Sequence, residues 1–275
     1  MIRHWFCSIG LCCCPAIVAA AELPLWEAGP GLAVIDLPDY RGANQRHTYA
    51  LPFPYMEYRG KFLKADSERV RGVLYADPTM ELNLSFNATP PVDSSANRAR
   101  SGMPDLDPTL ELGPSLDQHL WRSPAADRSM DLRLPLRVVI GTDFRHAHAE
   151  GWVFQPHINF DFKELGPQHN LQLGISAGPL FATRRFHEYF YGVDPQFAQS
   201  SRPAYVASGG YSGSQLTLAL SRRDREVWLR AFVRYDHLDG SAMADSPLVK
   251  SREVMTVGIG VSWILLRSRE HATGD

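Results

Sequence analysis

Past its first 21 residues the chain contains no cysteine, because Cys7, Cys12, Cys13 and Cys14 all fall in the opening segment. Disulfides and Cys-based metal sites are thereby excluded from the remainder. An excess of charge of one sign is also missing. The chain has 28 Lys and Arg against 30 Asp and Glu, a formal net of −2, which excludes a basic surface built to neutralise phosphates and with it a nucleic-acid partner. After the opening segment no unbroken apolar run reaches 18 residues, so a bundle of transmembrane helices is excluded. No P-loop or dinucleotide fingerprint occurs, and no cofactor is expected. With 44% hydrophobic and 11% aromatic residues, the chain is not a disordered acidic tail either.

The opening segment MIRHWFCSIGLCCCPAIVAAAELP has its own logic. Arg3 gives a short positive start, Trp5 to Val18 is apolar, and Ala19, Ala20 and Ala21 supply a cleavage site before Glu22. This pattern reads as a secretory signal peptide over 1–21, to be left out of the fold.

The signal in the rest of the chain is alternation. Over 130–140, Met130, Leu132, Leu134, Leu136, Val138 and Ile140 share one face, and Asp131, Arg133, Pro135, Arg137 and Val139 the other. Over 80–87, Met80, Leu82, Leu84 and Phe86 alternate with Glu81, Asn83, Ser85 and Asn87. Strand side chains point alternately to opposite sides, so each such segment has one oily and one polar or small face. No helix-period segment competes. The spacing predicts twelve strands near 25–36, 48–58, 61–66, 69–77, 79–88, 108–121, 130–142, 151–162, 170–182, 209–221, 226–238 and 252–265. Connections after even-numbered strands are short, and most after odd-numbered strands are long: 37–47, 89–107, 143–150, 183–208 and 239–251. Long strands, an even count and loops that alternate in length point to one antiparallel transmembrane β-barrel with short periplasmic turns and long external loops. The expected layout is a signal peptide at 1–21, an outer-membrane barrel at 22–266 and a polar tail at 267–275. Aromatics near strand ends, among them Trp26, Tyr55, Trp152, Phe181 and Trp263, fit the girdles that flank a lipid-facing band.

If the oily faces meet lipid, the other faces enclose a lumen. Its candidate residues are Glu81, Glu111, Asp131, Arg133, Arg137, His157, Asp161, Arg230, Arg234 and Asp236. Both signs are present, which favours cross-barrel ion pairs over a selective filter. Twelve strands lie between barrels filled by side chains and wide aqueous pores, so a narrow or loop-occluded passage is expected. Catalytic and metal patterns are weak. Gly210-Tyr211-Ser212-Gly213-Ser214 lacks the closing glycine of a nucleophile elbow and opens a strand. His146, His148 and Glu150 alternate in a predicted external loop, where solvated side chains are a better reading than a metal site. The loop 183–208 is unusually aromatic. Arg184, Arg185, Phe186, Tyr189, Phe190 and Tyr191 are candidates for a plug folded over the lumen or for a contact surface, because so apolar a loop must pack on something.

Several blocks also resemble a known family: LPDYRG (37–42), LPFPYMEYRGKFLKAD (51–66), NRARSGMPDLDPTLELGPSL (97–116), SAGPLFATRRFHEYFYGV (176–193), RPAYVASGGYSGSQLTLALSRR (202–223) and DSPLV (245–249). They are similar to the MipA/OmpV family of Gram-negative outer-membrane proteins, from about Trp26 to Trp263. The resemblance implies a Sec-exported integral barrel contacting outer-membrane lipid. It further implies a non-enzymatic scaffold that joins a lytic murein transglycosylase to a bifunctional murein synthase; a porin-like channel for small solutes is the alternative. The family brings no catalytic residues. Two departures stand out: Pro30 inside the first strand, which suggests a bulge or bend, and the polar residues that follow Trp263.

Overall fold

The computed structural model describes residues 24–60, 63–65, 70–143 and 145–271. The expected signal peptide lies outside the described residues. The strands are β1 (Trp26–Pro38), β2 (Arg46–Arg59), β3 (Leu63–Ala65), β4 (Val70–Ala76), β5 (Met80–Thr89), β6 (Thr109–Arg122) and β7 (Arg128–Thr142). They continue as β8 (Ala147–Phe154), β9 (His157–Leu165), β10 (Leu171–Ala182), β11 (Gly210–Arg223), β12 (Val227–His237), β13 (Glu253–Trp263) and the two-residue β14 (Leu266–Arg267). Neighbouring strands run antiparallel, and β13 pairs back onto β1 from Gly31 opposite Ser262 to Asp36 opposite Val257, closing the sheet into a barrel.

Strands β8 and β9 are two halves of one stave. Both lie between β7 and β10, with β8 against 136–142 of β7 and β9 against 128–133. The sequence reading of one strand over 151–162 therefore joins two strands. The break falls at Gln155 and Pro156, where Pro156 has no N–H to give a ladder and Gln155 N–H reaches Pro135 O at 3.1 Å. Counted this way, the described residues form twelve staves, with short turns at one end and the long segments 39–45, 90–108, 183–209 and 238–252 at the other.

Among the described residues the outward face is largely apolar. Leu216, Leu218 and Leu220 on β11, Leu229 and Val233 on β12, Met255, Val257 and Ile259 on β13, and Leu32 and Val34 on β1 are all exposed. A soluble protein rarely leaves such a continuous apolar surface in water. Around a closed sheet it is the lipid-facing band of an outer-membrane barrel. The inward face alternates with it. On β10 and β11 it is small: Gly174 lies opposite Ala219, and Ser176 opposite Thr217. One expected girdle residue is placed differently. Tyr55 is buried inside the lumen, its hydroxyl donating to Glu57 Oε2 at 2.9 Å and its ring edge-on to Trp228 at 5.7 Å. It shares its parity with Glu57, not with the outward Met56. The residues after Trp263 also pair: Leu266 and Arg267 lie opposite Ala28 and Glu27 as β14.

Gly178 shows how tightly the broken stave is packed. A Cβ there would strike Pro156 O and lie 2.7 Å from His157 Cα. Gly178→Ala is therefore expected to lower stability by about 1–3 kcal/mol, the usual cost of overpacking. Gly258→Ala meets only the Phe232 ring, with Cζ at 2.9 Å, and should cost less because a ring can turn. Midpoints of heat-induced loss of the compact, fast-migrating gel band would compare the two. Equal midpoints would refute this account of Gly178.

Candidate functional site

The long loops form a packed cap over one mouth of the barrel. Tyr40, Val92, Leu106, Phe186, Phe190, Tyr191, Val193, Leu238, Met243 and Leu248 make its apolar core, continuous with Val139, Val153 and Leu180 at the barrel rim. Hydrogen bonds cross between loops in a ring. Tyr40 donates to Leu248 O at 2.9 Å, Tyr191 to Arg41 O at 3.0 Å, and Ser246 to Tyr191 O at 2.7 Å. Asn97 Nδ2 donates to Asp39 Oδ2 at 2.6 Å, and Arg100 Nη1 to Phe190 O at 3.2 Å. Buried Arg202 donates to Ala99 O and Ser101 O at 2.9 and 3.0 Å. Burial pushes the Tyr191 and Tyr189 hydroxyls up to about 12, so both remain donors at any physiological pH.

The aromatic segment read from sequence as a loop contains a helix, α1 (Arg184–Tyr191). Two turns alone would be marginal in water, so packing makes this helix. Phe186, His187, Phe190 and Tyr191 are its buried residues, at helical spacings that put them on one face. Arg184 and Arg185 are exposed, and the nearest carboxylate to Arg185 is Glu150 at 3.8 Å. The expected plug thus consists of the aromatics, and the two arginines are not part of it.

His187 is fully buried. Its Nδ1 lies 2.6 Å from Ser208 O and its Nε2 2.7 Å from Ser212 Oγ. The carbonyl can only accept, so Nδ1 carries the proton and Nε2 accepts from the serine. Ser212 is the serine of the elbow-like GYSGS segment, and it is as buried as the histidine. The pair ties α1 to the start of β11, with a backbone carbonyl where a triad would place a carboxylate. Desolvation, with a smaller contribution from Arg41, holds His187 below its usual pKa.

Beneath the cap a layer of polar side chains spans the lumen. Arg137 donates to Glu111 Oε2 at 2.8 Å, Ser85 Oγ at 3.2 Å and Gln155 Oε1 at 2.7 Å. Gln155 Nε2 donates to Gln215 Oε1 at 2.8 Å, and Gln215 Nε2 to Asp236 Oδ1 at 3.0 Å. Asp236 also takes Arg41 Nε at 2.8 Å and lies 3.2 Å from Arg234 Nε. Further down, Arg133 sits 3.9 Å from Asp117 and 3.8 Å from Asp161, and His119 lies 2.6 Å from Asp131. At the turn end Arg59 and Arg223 clasp Glu27 and Glu57, and Arg230 stacks 3.7 Å over Trp228.

The ten lumen candidates therefore share the interior, but at different depths. Glu111, Arg137, Arg234 and Asp236 belong to the layer under the cap; Asp131, Arg133, His157 and Asp161 lie below it. Glu81 is bonded to Asn83 at 3.2 Å, and Arg230 belongs to the turn-end cluster. Sequence alternation missed Arg41, which enters from a loop, and Gln215. Arg41 stands in the LPDYRG block, and Gln215 follows the parity of β11. Of the HAHAE run, His146 lies 3.3 Å from Asp143 and Glu150 faces Arg185, while His148 pairs into β8 opposite Gly141.

The polar layer separates two cavities with no lining residue in common. Above it is a chamber of 260 Å³, walled by cap aromatics and by Arg41, Arg137 and Arg234. Below it is a vestibule of 350 Å³ lined by Arg133, Asp161, Gln172, Ser176, Thr217 and Arg230, among others.

The family described as MltA-interacting protein MipA matches residues 31–265. The chain belongs to that family. No curated protein sequence matches it. Among solved structures it is similar to the NanC porin, at 9% identity, 85% of this chain, all of that one and a TM-score of 0.38. A bacterial polysaccharide outer-membrane secretin shares 9% identity over 90% of this chain and all of its own, with a TM-score of 0.41. Outer-membrane phospholipase A from Escherichia coli shares 11% over 88% and 91%, with a TM-score of 0.35.

For this family member the His187 pair gives a pH prediction. A folded pKa held below the unfolded one means that the unfolded state binds the extra proton first. The stability contributed by neutral His187 is then complete above about pH 6.5 and is lost as pH falls toward the folded value. Proteolytic nicking within 183–209 should run several-fold faster at pH 5 than at pH 7.5, and His187→Gln should remove the difference. The same nicking rate at both pH values would show that His187 does not hold the cap.

Proposed function

We propose that this protein is a closed, non-enzymatic outer-membrane barrel that anchors a lytic murein transglycosylase, and through it a bifunctional murein synthase, at the inner face of the outer membrane. The observation that carries the reading is the doubly obstructed lumen, a packed cap above a hydrogen-bonded layer. Such a barrel offers the periplasm a rigid rim and no open passage. The family description, MltA-interacting protein, supports the partner class. The periplasmic turns are short, so the contact surface is the rim itself, including the bridged Pro24 and His271. Export by the Sec route, implied by the opening segment, completes the proposal.

Crosslinking of intact envelopes followed by purification of the barrel should recover a murein transglycosylase. Recovery of none across several crosslinker lengths would sink the anchoring role.

A second reading, a gated passage for small solutes, is favoured by one observation: the chamber and the vestibule lie on either side of a single layer of side chains. Planar bilayers discriminate. The closed-barrel reading expects silence from protein that still shows the compact gel band, whereas steady unitary conductance would overturn it.

A further inference from the structure

Four external segments meet around a pocket on the outer surface of the cap. It measures 250 Å³ and is lined by residues of 39–45, 90–108, 183–209 and 238–252. Each segment is tied to a neighbour. Gly42 O accepts from Lys250 N–H at 2.7 Å, which joins 238–252 to 39–45. The Gln45 amide accepts from Arg98 N–H at 2.6 Å and donates to Ala96 O at 2.8 Å, which joins 39–45 to 90–108. Arg202 joins 183–209 to 90–108 through Ala99 O and Ser101 O. The walls are therefore set before any ligand arrives, and a rigid site loses little freedom on binding.

The lining holds three cations, Arg98, Arg202 and Lys250, and no carboxylate. Arg202 is the floor, at 4% exposed. Its Nε and Nη2 donate to Phe197 O at 3.2 and 2.8 Å, and its Nη1 to Ala99 O and Ser101 O at 2.9 and 3.0 Å. All four of these acceptors are neutral. Carbonyl dipoles solvate a guanidinium without cancelling its charge, and a buried charge is ordinarily paired. The second buried guanidinium of the cap lies close by: burial first, and then the charge of Arg202, hold Arg100 below its usual pKa.

The other two cations are exposed. The Arg98 guanidinium meets only Gln45 Oε1, at 3.4 Å. Neither Arg98 nor Lys250 is ion-paired to another described residue. The rest of the lining is neutral and mostly able to hydrogen-bond. Asn44, Ser101, Gln199 and Ser201 are exposed, and their side chains bond to no other described residue. Positive charge on one buried and two exposed groups, ringed by amides and hydroxyls, calls for a ligand that carries both negative charge and hydroxyl groups.

We propose that this pocket binds a phosphorylated sugar at the outer face of the membrane. A phosphate monoester carries about −1.5 to −2 charge at neutral pH and three strong acceptor oxygens, which suits three cations better than a monocarboxylate does. Arg98 and Lys250 meet the phosphate over the Arg202 floor, the one with a planar fork and the other with a mobile point charge. Asn44, Ser101, Gln199 and Ser201 serve the sugar hydroxyls. A volume of 250 Å³, just under the usual span of ~300–1,000 Å³ for ligand pockets, suits one sugar ring with its phosphate. Such a group reaches the cap as a free sugar phosphate or as the headgroup of an outer-leaflet glycolipid. The proposal does not depend on the anchoring role and is tested on isolated protein.

The test is saturable binding of labelled glucose 6-phosphate to the full barrel in phospholipid nanodiscs, in phosphate-free buffer, with empty discs subtracted and glucose as the uncharged control. One site per barrel is expected, with glucose at least about tenfold weaker. Arg98→Gln combined with Lys250→Gln should weaken glucose 6-phosphate at least about tenfold. Ser101→Trp, which fills the pocket without removing a charge, should abolish binding, and the compact gel band certifies that each variant is folded. No saturable binding by wild type, equal affinity for glucose and its phosphate, or undiminished binding in either folded variant overturns the proposal. Discs doped with diphosphoryl lipid A, set against discs doped with its dephosphorylated form, separate the two sources. Loss of glucose 6-phosphate binding only with the phosphorylated lipid supports the site and assigns it to a headgroup. Equal binding in both disc types supports the site and assigns it to the free sugar phosphate.

Discussion

Hydrocarbon offers a backbone no hydrogen-bond partner, and that single constraint organises the molecule. Strands crossing it find their partners in the protein, so the sheet curls round and β13 returns to β1. Closure divides the side chains by parity into a lipid set and an enclosed set. The same alternation that makes Met255, Val257 and Ile259 exposed apolar residues buries Val254, Thr256 and Ser262. Each inward charge must then be met within the lumen. The pairs Arg137–Glu111, Arg41–Asp236 and Arg223–Glu57 follow from that need. Such pairs are weak evidence for net stability, since apolar packing of equal volume often does as well. What they do provide is a fixed arrangement, because breaking one leaves a buried charge at a cost of about 3–5 kcal/mol.

The cap obeys a related rule. Segments as long as 90–108 and 183–209 are uncommon in compact proteins unless they build structure of their own. Here four of them do so together, around a shared core. Two buried arginines, Arg100 and Arg202, donate mostly to backbone carbonyls, some in their own segment and some in a neighbouring one, satisfying acceptors that no ladder reaches. Desolvation lowers the Arg100 pKa. The cap therefore depends on several loops at once, and the His187–Ser212 contact is one of its ties to a strand.

Much of this was legible in the sequence, because period two is imposed strand by strand. Met130 to Ile140 told its lipid face from its lumen face without reference to any other residue. Twelve crossings, the alternation of short and long connections and the ten inward residues all rest on that local signal. What was not legible depends on partners far along the chain. Tyr55 sits near a strand end like a girdle aromatic, and only its register against β1 and the nearness of Trp228 place it inside. The helix at 184–191 has no capping side chain and no acidic residue in its first turn, so nothing local announced it. Arg41 reaches Asp236 across 195 positions of sequence, and no spacing rule spans such a distance.

The prolines connect these two levels. Inside strands, Pro30 lies just before the β1–β13 ladder begins at Gly31, and Pro114 falls where β6 skips its pairing with β7. Pro135 stands opposite the break between β8 and β9, and Pro179 at the register shift between β10 and β11. Each is a local interruption with pairing on both sides of it. Pro52 and Pro54 differ because, among the described residues, the facing edge of β2 is paired only at Tyr58 and Arg59. A central strand in lipid tolerates the loss of one donor where its neighbour also steps aside. It has no reason to lose two in succession on the same edge unless nothing was to be bonded there. The spacing of those two residues thus marks, in the LPFPY segment itself, the edge of β2 that has no partner among the described residues.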